Sequence, residues 1–571
     1  MKKLLRNISF IGVLMVMVAS CTEAEPDYTT FPSKDVDFIY AVAPNSNGEL
    51  EYALDYYVVS TIQFTNTSAK EGSVTWDFGD GTTSNEENPQ HKYAKAGIYQ
   101  VKLTIEGVGS RTYPLMIYDI APVLSVKEQL TTAGEPAEII TINDVAVSFD
   151  IFLPNPENKE VKYEWTFPDG TTTENGEPLT SFEGNDPGKV RFKNIGSQRV
   201  TLRATFDVGE GGENRQLEEA YMNVQVGADK EYKTLYYAAL DGNIKALKVI
   251  PDEELPEGTK NLPFDLGVSS GSMPFNLVYA DVVDGSTTIG WIYILDAGRQ
   301  YYYINDENGV NGDGQIRVMG VDGTGTNVMV TNVGQAAFDD PFYGCVDGTN
   351  LLYSDRNNGL RQLPLTTRAA KEANNYFVIN TELGYYSRGL AYGAINTTVY
   401  KDSKDTYWWG KCYNGEGIFR FKASDKIADY TTATRPNEIV LAGTKIKGFV
   451  IDEERKSLYV WRWMEDSGFY VYNLPDDQVA VGKQEYVDRI LMDADPLNTT
   501  ASEGVFVTQM AVDKETGFVY FGFNKEAKDG TAYQTGLKRY NPANKGKLDN
   551  ISEVADKILG ITINDHKSKL F

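Results

Sequence analysis

The side chains best suited to acid–base or nucleophilic work are scarce. The 571-residue chain has two histidines, His91 and His566, and three cysteines, Cys21, Cys345 and Cys412. Two imidazoles leave little room for His-based general acid–base or Ser-His chemistry. No His-Glu-x-x-His or phosphate-binding Gly-rich loop occurs. Carboxylates are abundant, so a glycosidase-type pair is available in principle, but no two of them stand out. One stretch offers oxygen ligands for a hard cation such as Ca2+: Asp306, Asn308, Asn311 and Asp313, within Asn305–Gly314. Its spacing lacks the bidentate twelfth-position Glu of an EF-hand. The preferred reading is a turn using residues that tolerate left-handed backbone, with no cofactor required.

Aromatic clusters say more. Tyr301, Tyr302 and Tyr303 are consecutive, Tyr407-Trp408-Trp409 are followed by Tyr413, and Trp461 and Trp463 are two apart. Flat rings beside polar groups suit sugars, whose C–H faces stack while their hydroxyls hydrogen-bond. Tyr302, Tyr407, Trp409, Trp461 and Trp463 are the candidate ligand-binding residues. The same rings also suit packing between sheets. Neighbouring residues on a strand point to opposite faces, so Trp408 and Trp409 cannot share a layer.

These rings belong to a repeat. An apolar–aromatic pair recurs at Leu235-Tyr236, Ile292-Tyr293, Leu352-Tyr353, Thr406-Tyr407, Leu458-Tyr459 and Val519-Tyr520. After each comes a Gly, once Gln315, and an alternating strand: Asn243-Ile244, Ile316-Arg317-Val318, Leu360–Leu363, Ile418–Phe421, Phe469–Tyr472 and Leu537–Tyr540. Six copies at a period of about 55 residues, with period-2 strands and no helical periodicity, predict six four-stranded blades around an axis. Residues 560–571 match 448–459 as a strand, a polar turn holding His566, and the start of a second strand. The missing continuation is at Leu235. The C-terminal strand is therefore expected to return and pair near residue 235, which leaves no bare edge. Trp291–Asp296 with Gln315–Gly325 resembles a blade of the NHL and YWTD six-bladed propeller groups, a likeness that spans 230–571 and speaks to fold alone.

Before the ring, Val74–Ser84 (with Trp76, Phe78 and Gly79-Asp80-Gly81), Asn88–Tyr93 and Gly97–Ile105 closely resemble a PKD domain, an Ig-like β-sandwich, over 35–119. His91 reads as a structural hydrogen-bonding residue within it. Tyr163–Thr173 and Gly196–Ala204 resemble a second, degenerate copy over 120–229, with Pro168 at the first turn Gly. Gly209–Asn214 reads as a hairpin tip and Gly227–Lys233 as a linker. The fold class is all-β: two PKD-like sandwiches, then a six-bladed propeller.

The N-terminus is a processing signal over 1–20. Lys2, Lys3 and Arg6 precede an apolar run, Phe10–Val18, too short to span a bilayer as a mature helix. Val18-Ala19-Ser20-Cys21 resembles a bacterial lipobox, which implies lipid on Cys21. The acidic tether 21–34 resembles the export signal of Bacteroidetes surface lipoproteins, which implies a lipid anchor on the outer face of the outer membrane. Loss of the three signal cations takes the formal charge from −26 to −29, which argues against nucleic acid as a partner. Cys345 and Cys412 lie in different blades without metal-ligand spacing and read as buried free thiols, a disulfide remaining open.

By resemblance to PKD-containing surface lipoproteins of glycan-uptake systems, the expected function is non-catalytic polysaccharide capture, with an outer-membrane transporter as possible partner. The alternatives are a module holding a surface protein and a glycan-active lyase or hydrolase.

Overall fold

The computed structural model describes residues 35–571 except 44–54, 59, 128–139, 155–159, 207–214, 218, 285–286, 299–313, 332–340, 356–358, 369–376, 381–395, 412–416, 423–437, 463–465, 476–483, 492–504, 508 and 526–533. The fold is all-β. Among the described residues the one helical segment is a 3-10 turn at Asp252–Glu254, and no helix is long and apolar enough to cross a membrane. Two compact units are present: Met1–Lys193 with Gln198–Val224, and Asn194–Ser197 with Gln225–Phe571.

The first unit begins with a sandwich of a three-stranded sheet (Phe38–Val42, Ile62–Asn66, Gln90–His91) and a five-stranded sheet in the order Tyr56–Tyr57, Gly109–Tyr118, Gly97–Ile105, Val74–Asp77, Thr83–Ser84. Trp76 and Phe78 point inward as their alternation requires, and Val101 and Leu103 face them from the returning strand in register Trp76↔Leu103. Gly79 and Gly81 take positive φ in the turn, and a Cβ on Gly79 would sit 2.8 Å from the Gln100 nitrogen. His91 stacks on Phe78 at 4.1 Å and its Nε2 lies 2.7 Å from Asp80. The later Trp-x-Phe motif builds the same device: Trp165 and Phe167 are buried, and Trp165 Nε1 donates to the Gly184 carbonyl, as Trp76 Nε1 does to Glu86. The strand Ala220–Gly227 runs on to Gly227 and the next begins at Tyr232, so the expected linker narrows to 228–231. The expected hairpin tip Gly209–Asn214 lies outside the described residues.

The second unit is a ring of six sheets. Five have four strands, and each apolar–aromatic marker lies on a second strand, the Gly-led marker on the third. The inner strands are Ile558–Ser568, Pro274–Asp284, Pro341–Asp347, Asn396–Lys401, Ile446–Asp452 and Met510–Val512, and each contacts the next in a closed cycle. Blade 1 is completed as the repeat predicted. Its inner strand is C-terminal and pairs antiparallel with Tyr232–Ala239, Leu235 opposite Ile563 and Tyr237 opposite Ile561.

Two details differ from expectation. Residues 564–567 make no turn: Ile558–Ser568 is one strand, and the extra residues are absorbed by a register shift between Tyr232 and Thr234. Leu570 and Phe571 then pack on the core around Phe264 instead of starting a second strand. Blade 6 has five strands, because its inner strand is broken into Val505–Phe506 and Met510–Val512. Gln509, in the break, turns its amide sideways. It accepts from Leu277 N in blade 2 at 2.9 Å and Ile561 N in blade 1 at 2.8 Å, and donates to the Leu277 carbonyl at 2.9 Å. One side chain thus satisfies backbone groups of two other blades.

The inner strands approach closely enough that side chains are excluded. A Cβ on Gly560 would lie 2.9 Å from the Asn276 carbonyl carbon and 3.0 Å from Leu277 N. Gly560→Val is expected to destabilise the ring by about 1–3 kcal/mol, the usual cost of overpacking, read as a lower urea midpoint with the first unit's transition unchanged.

Candidate functional site

The candidate aromatics divide. Tyr302, Trp463 and the oxygen-rich set Asp306, Asn308, Asn311 and Asp313 lie outside the described residues, as do Cys21 and Cys412. Tyr407, Trp409 and Trp461 are described and buried, the two tryptophans fully. They present no exposed platform, which corrects the expectation that these rings stand side by side for a ligand. Trp409 lies in the seam toward blade 3 with Tyr343 and Leu352, and Trp461 in the next-but-one seam, 5.8 Å from Phe521 of blade 6. Trp408 faces the opposite seam from Trp409, with Phe449 and Tyr470. The physical reason is that a blade is covered on both faces by its neighbours, so alternation on its second strand separates two interiors rather than inside from outside.

The chemistry-bearing groups of the ring tie blades together. His566 Nε2 of blade 1 lies 2.8 Å from Asp281 of blade 2, whose other oxygen accepts from Tyr279 at 2.6 Å. Tyr293 of blade 2 donates to the Leu365 carbonyl at 2.7 Å, and Arg368 stacks on Trp291 at 4.1 Å. Asp347 of blade 3 takes the Tyr407 hydroxyl at 2.7 Å and the Lys401 ammonium. Burial, then the Asp347 bond, push the Tyr407 hydroxyl well above its ordinary range. Glu453 of blade 5 takes the Tyr400 hydroxyl at 2.8 Å and the Ser403 amide at 3.1 Å. Arg455 reaches the Lys514 and Glu515 carbonyls of blade 6, both at 2.8 Å. At the closure, Lys233 of blade 1 meets Asp513 of blade 6 at 2.6 Å. Every seam therefore carries at least one polar tie.

The Lys233–Asp513 pair is the most buried of these, at 9% and 2% side-chain exposure. Burial alone would pull Lys233 down and push Asp513 up. Their mutual bond, helped on Asp513 by Thr516, outweighs it, so Lys233 is raised and Asp513 held below the ordinary carboxylate range. Removing either partner alone strands a buried charge, a loss of about 3–5 kcal/mol in comparable pairs. Beside it, Lys248 donates to the Tyr232 carbonyl at 2.8 Å, Thr234 Oγ1 at 2.9 Å and Ser568 Oγ at 3.2 Å, so one ammonium spans three strands of blade 1. It lines a cavity of about 80 Å3 with Leu235, Leu247, Ile250 and Arg539. Burial pulls it down to about 7 against the raising field of Glu231.

The sequence alone singles out none of the ring's carboxylates. Asp296, Asp347, Asp452 and Asp513 are buried. A signal was present: Asp452 and Asp513 each stand six residues before the apolar residue of a marker pair, and Asp347 five before Leu352. Asp347 and Asp452 end inner strands, and Asp513 directly follows one. Asp452 and Asp513 accept amide hydrogens from Arg455 and Glu515 in the following turn. Cys345 is a free cysteine whose thiol burial pushes up to about 12, so it stays protonated and unreactive at neutral pH.

Known proteins resemble the chain in parts. Residues 45–113 match the family described as PKD domain. A microbial collagenase of Vibrio alginolyticus is 32% identical over 109 residues, which is 17% of this chain and 13% of that protein, in the PKD region. The chain thus spans a small fraction of that relative's length. Two solved structures show propeller-like likeness. A quinonprotein alcohol dehydrogenase-like protein from Bacteroides thetaiotaomicron is 14% identical with a TM-score of 0.32, over 76% of this chain and 98% of that one. A putative 6-phosphogluconolactonase from Bacteroides uniformis is 10% identical with a TM-score of 0.36, over 58% and 99%. At these values neither bears on activity.

Lys248 gives the closure a pH signature. With its folded value near 7 and an unfolded value near 10.4, the unfolded chain holds more protons between those pH values, so stability rises with pH by up to about 1.4 kcal/mol per unit. Urea midpoints at pH 7, 8 and 9 should shift in favour of wild type over Lys248→Met as pH rises. A constant difference would show that the ammonium is not displaced on folding.

Proposed function

We propose that this is a cell-surface lipoprotein, anchored through Cys21 in the outer membrane, whose ring captures polysaccharide without altering it, beside an outer-membrane transporter that takes the sugar onward. The observation that carries the reading is how the ring uses its chemistry-bearing groups. His566, Lys233, Lys401, Asp347, Asp513 and Glu453 each hold a neighbouring blade. The result is a rigid platform, and rigid platforms bind at low entropic cost. Tyr302 and Trp463, two of the ring candidates from the sequence, are the rings assigned to the sugar. The PKD-like sandwiches serve as spacers.

A second reading, a protein partner, draws on blade 2. Its first hairpin, Pro274–Asp284 with Thr287–Asp296, is the longest among the described residues of the ring and bears Val283 at 67% and Ile289 at 38% exposure. Exposed apolar residues on a projecting hairpin suit a protein surface.

Two measurements test the proposal. Cys21→Ala should abolish incorporation of labelled palmitate and release the protein from membranes; retained labelling would reject Cys21 as the anchor. In affinity gels with a polysaccharide panel, Trp463→Ala should weaken binding by roughly tenfold, the worth of a stacked ring near 1.4 kcal/mol. Trp461→Ala should instead lower thermal stability, because it empties a buried site. No binding across the panel, with capture of a protein lost on Val283→Asp, would favour the second reading.

A further inference from the structure

Several basic groups of the ring are neutralised by carboxylates. Lys233, Lys245, Lys401, Arg455 and Arg539 each contact a carboxylate. Acidic partners are plentiful in a chain with 80 acidic against 54 basic residues. Arg462 and Arg489 of blade 5 are placed differently from these. Among the described residues neither Arg462 nor Arg489 has a carboxylate within ion-pair distance.

Both are stacked on tyrosines. Arg462, at the end of the second strand, lies 4.2 Å from the Tyr470 ring centre and 5.6 Å from that of Tyr472, and donates to the Tyr472 hydroxyl. Its Nε is buried without a hydrogen-bond partner. Tyr470 and Tyr472 are fully buried and nearly parallel, 12° apart at 6.2 Å. Tyr486 meets Tyr470 edge-on at 5.6 Å, and Arg489 lies 5.0 Å over Tyr486. Tyr486 is 41% exposed, and Arg489 is exposed on the outermost strand, Asp488–Leu491. The cluster is thus a ladder from a half-buried cation, through buried rings, to an exposed ring and an exposed guanidinium.

Such a ladder suits one ligand chemistry. A guanidinium fork fits a carboxylate, and among the described residues none meets that of Arg489 in an ion pair. An exposed tyrosine face takes the C–H side of a pyranose. A uronic acid carries both on one ring. We propose that the outer edge of blade 5 binds uronic acid units of an acidic polysaccharide, with Arg489 on the carboxylate, Tyr486 against the sugar ring, and Arg462 behind them as a positioning charge. This deepens the polysaccharide reading and rests on it, while placing acidic sugars at a site apart from the loop aromatics.

The test uses the detergent-solubilised full chain, with polygalacturonate, its methyl ester and poly-glutamate as probes, by calorimetry. Polygalacturonate should bind, more weakly as salt is raised. Arg489→Gln should weaken it roughly tenfold, the usual scale for losing a charged hydrogen-bonding partner at a partly exposed site. Tyr486→Ala should weaken polygalacturonate but leave any poly-glutamate binding unchanged. Both substitutions are on exposed side chains, so folding is retained and checked by an unchanged melting temperature. Equal binding of the methyl ester, or unchanged affinity in Arg489→Gln, would overturn the inference while leaving polysaccharide capture standing. Poly-glutamate binding as tightly as polygalacturonate would overturn the sugar assignment. Absence of binding to any polysaccharide would end both this inference and the reading beneath it.

Discussion

The ring depends on one pairing, Tyr232–Ala239 with Ile558–Ser568. Five blades are made from consecutive hairpins, but blade 1 takes three strands from one end of the unit and its inner strand from the other. Without that strand, Tyr232–Ala239 would present a row of unpaired amides, and the contact cycle of inner strands would be open on both sides. The polar groups at this seam follow from that demand. Lys233, Lys248 and Arg539 are each drawn into burial at or beside the closure, and each holds an atom more than two hundred residues away in sequence: Asp513, Ser568 and Asp252. Burying cations is costly, and here the cost is met by ties that hydrophobic packing alone would not fix in register.

The same logic extends round the ring at lower intensity. Inner strands do not hydrogen-bond to one another through their ladders, since each belongs to a different sheet. Polar side chains fill the gap: Thr562 accepts from Tyr279 N, Asn276 from Gly344 N and Thr398 from Phe449 N. Gln509 does so for two blades at once. These contacts tie neighbouring inner strands that share no ladder of their own.

Much of this architecture was legible in the sequence. The markers at Leu458-Tyr459 and Gly468-Phe469 named second and third strands because period-2 alternation with a Gly start is local chemistry, and the partial repeat at Gly560–Phe571 announced the closure. Trp76 and Trp165 were legible for the same reason. Other features were not. Asn564–Lys567 has turn composition but remains in strand, because the bulge opposite Tyr232 accommodates the extra length, and a bulge is settled by the partner strand. For Trp409 and Trp461 the sequence left ligand stacking and packing between sheets both open, and burial decides for packing because a blade's second strand has no solvent face. The buried aspartates were hidden by their type: Asp at a turn is ordinarily solvated, and only its recurrence at a fixed distance from the markers sets Asp452 and Asp513 apart. The Tyr–Arg ladder of blade 5 draws on three separate strands, so no spacing in the sequence could have assembled it.

The discontinuous blade also has a kinetic consequence. Blades 2 to 6 are local, so each can collapse as soon as its own strands exist, whereas Lys248 and Ser568 must find each other across 320 residues. Long-range pairing of this kind is intrinsically slow to form. During that wait the strand Tyr232–Ala239 is a vacant template of defined register, and the strand that fits it is present on every other copy of the chain. Exchange of Ile558–Ser568 between two copies would satisfy the same hydrogen bonds and bury the same side chains, so the ring carries within its closure a route to an interlinked dimer whenever folding is crowded.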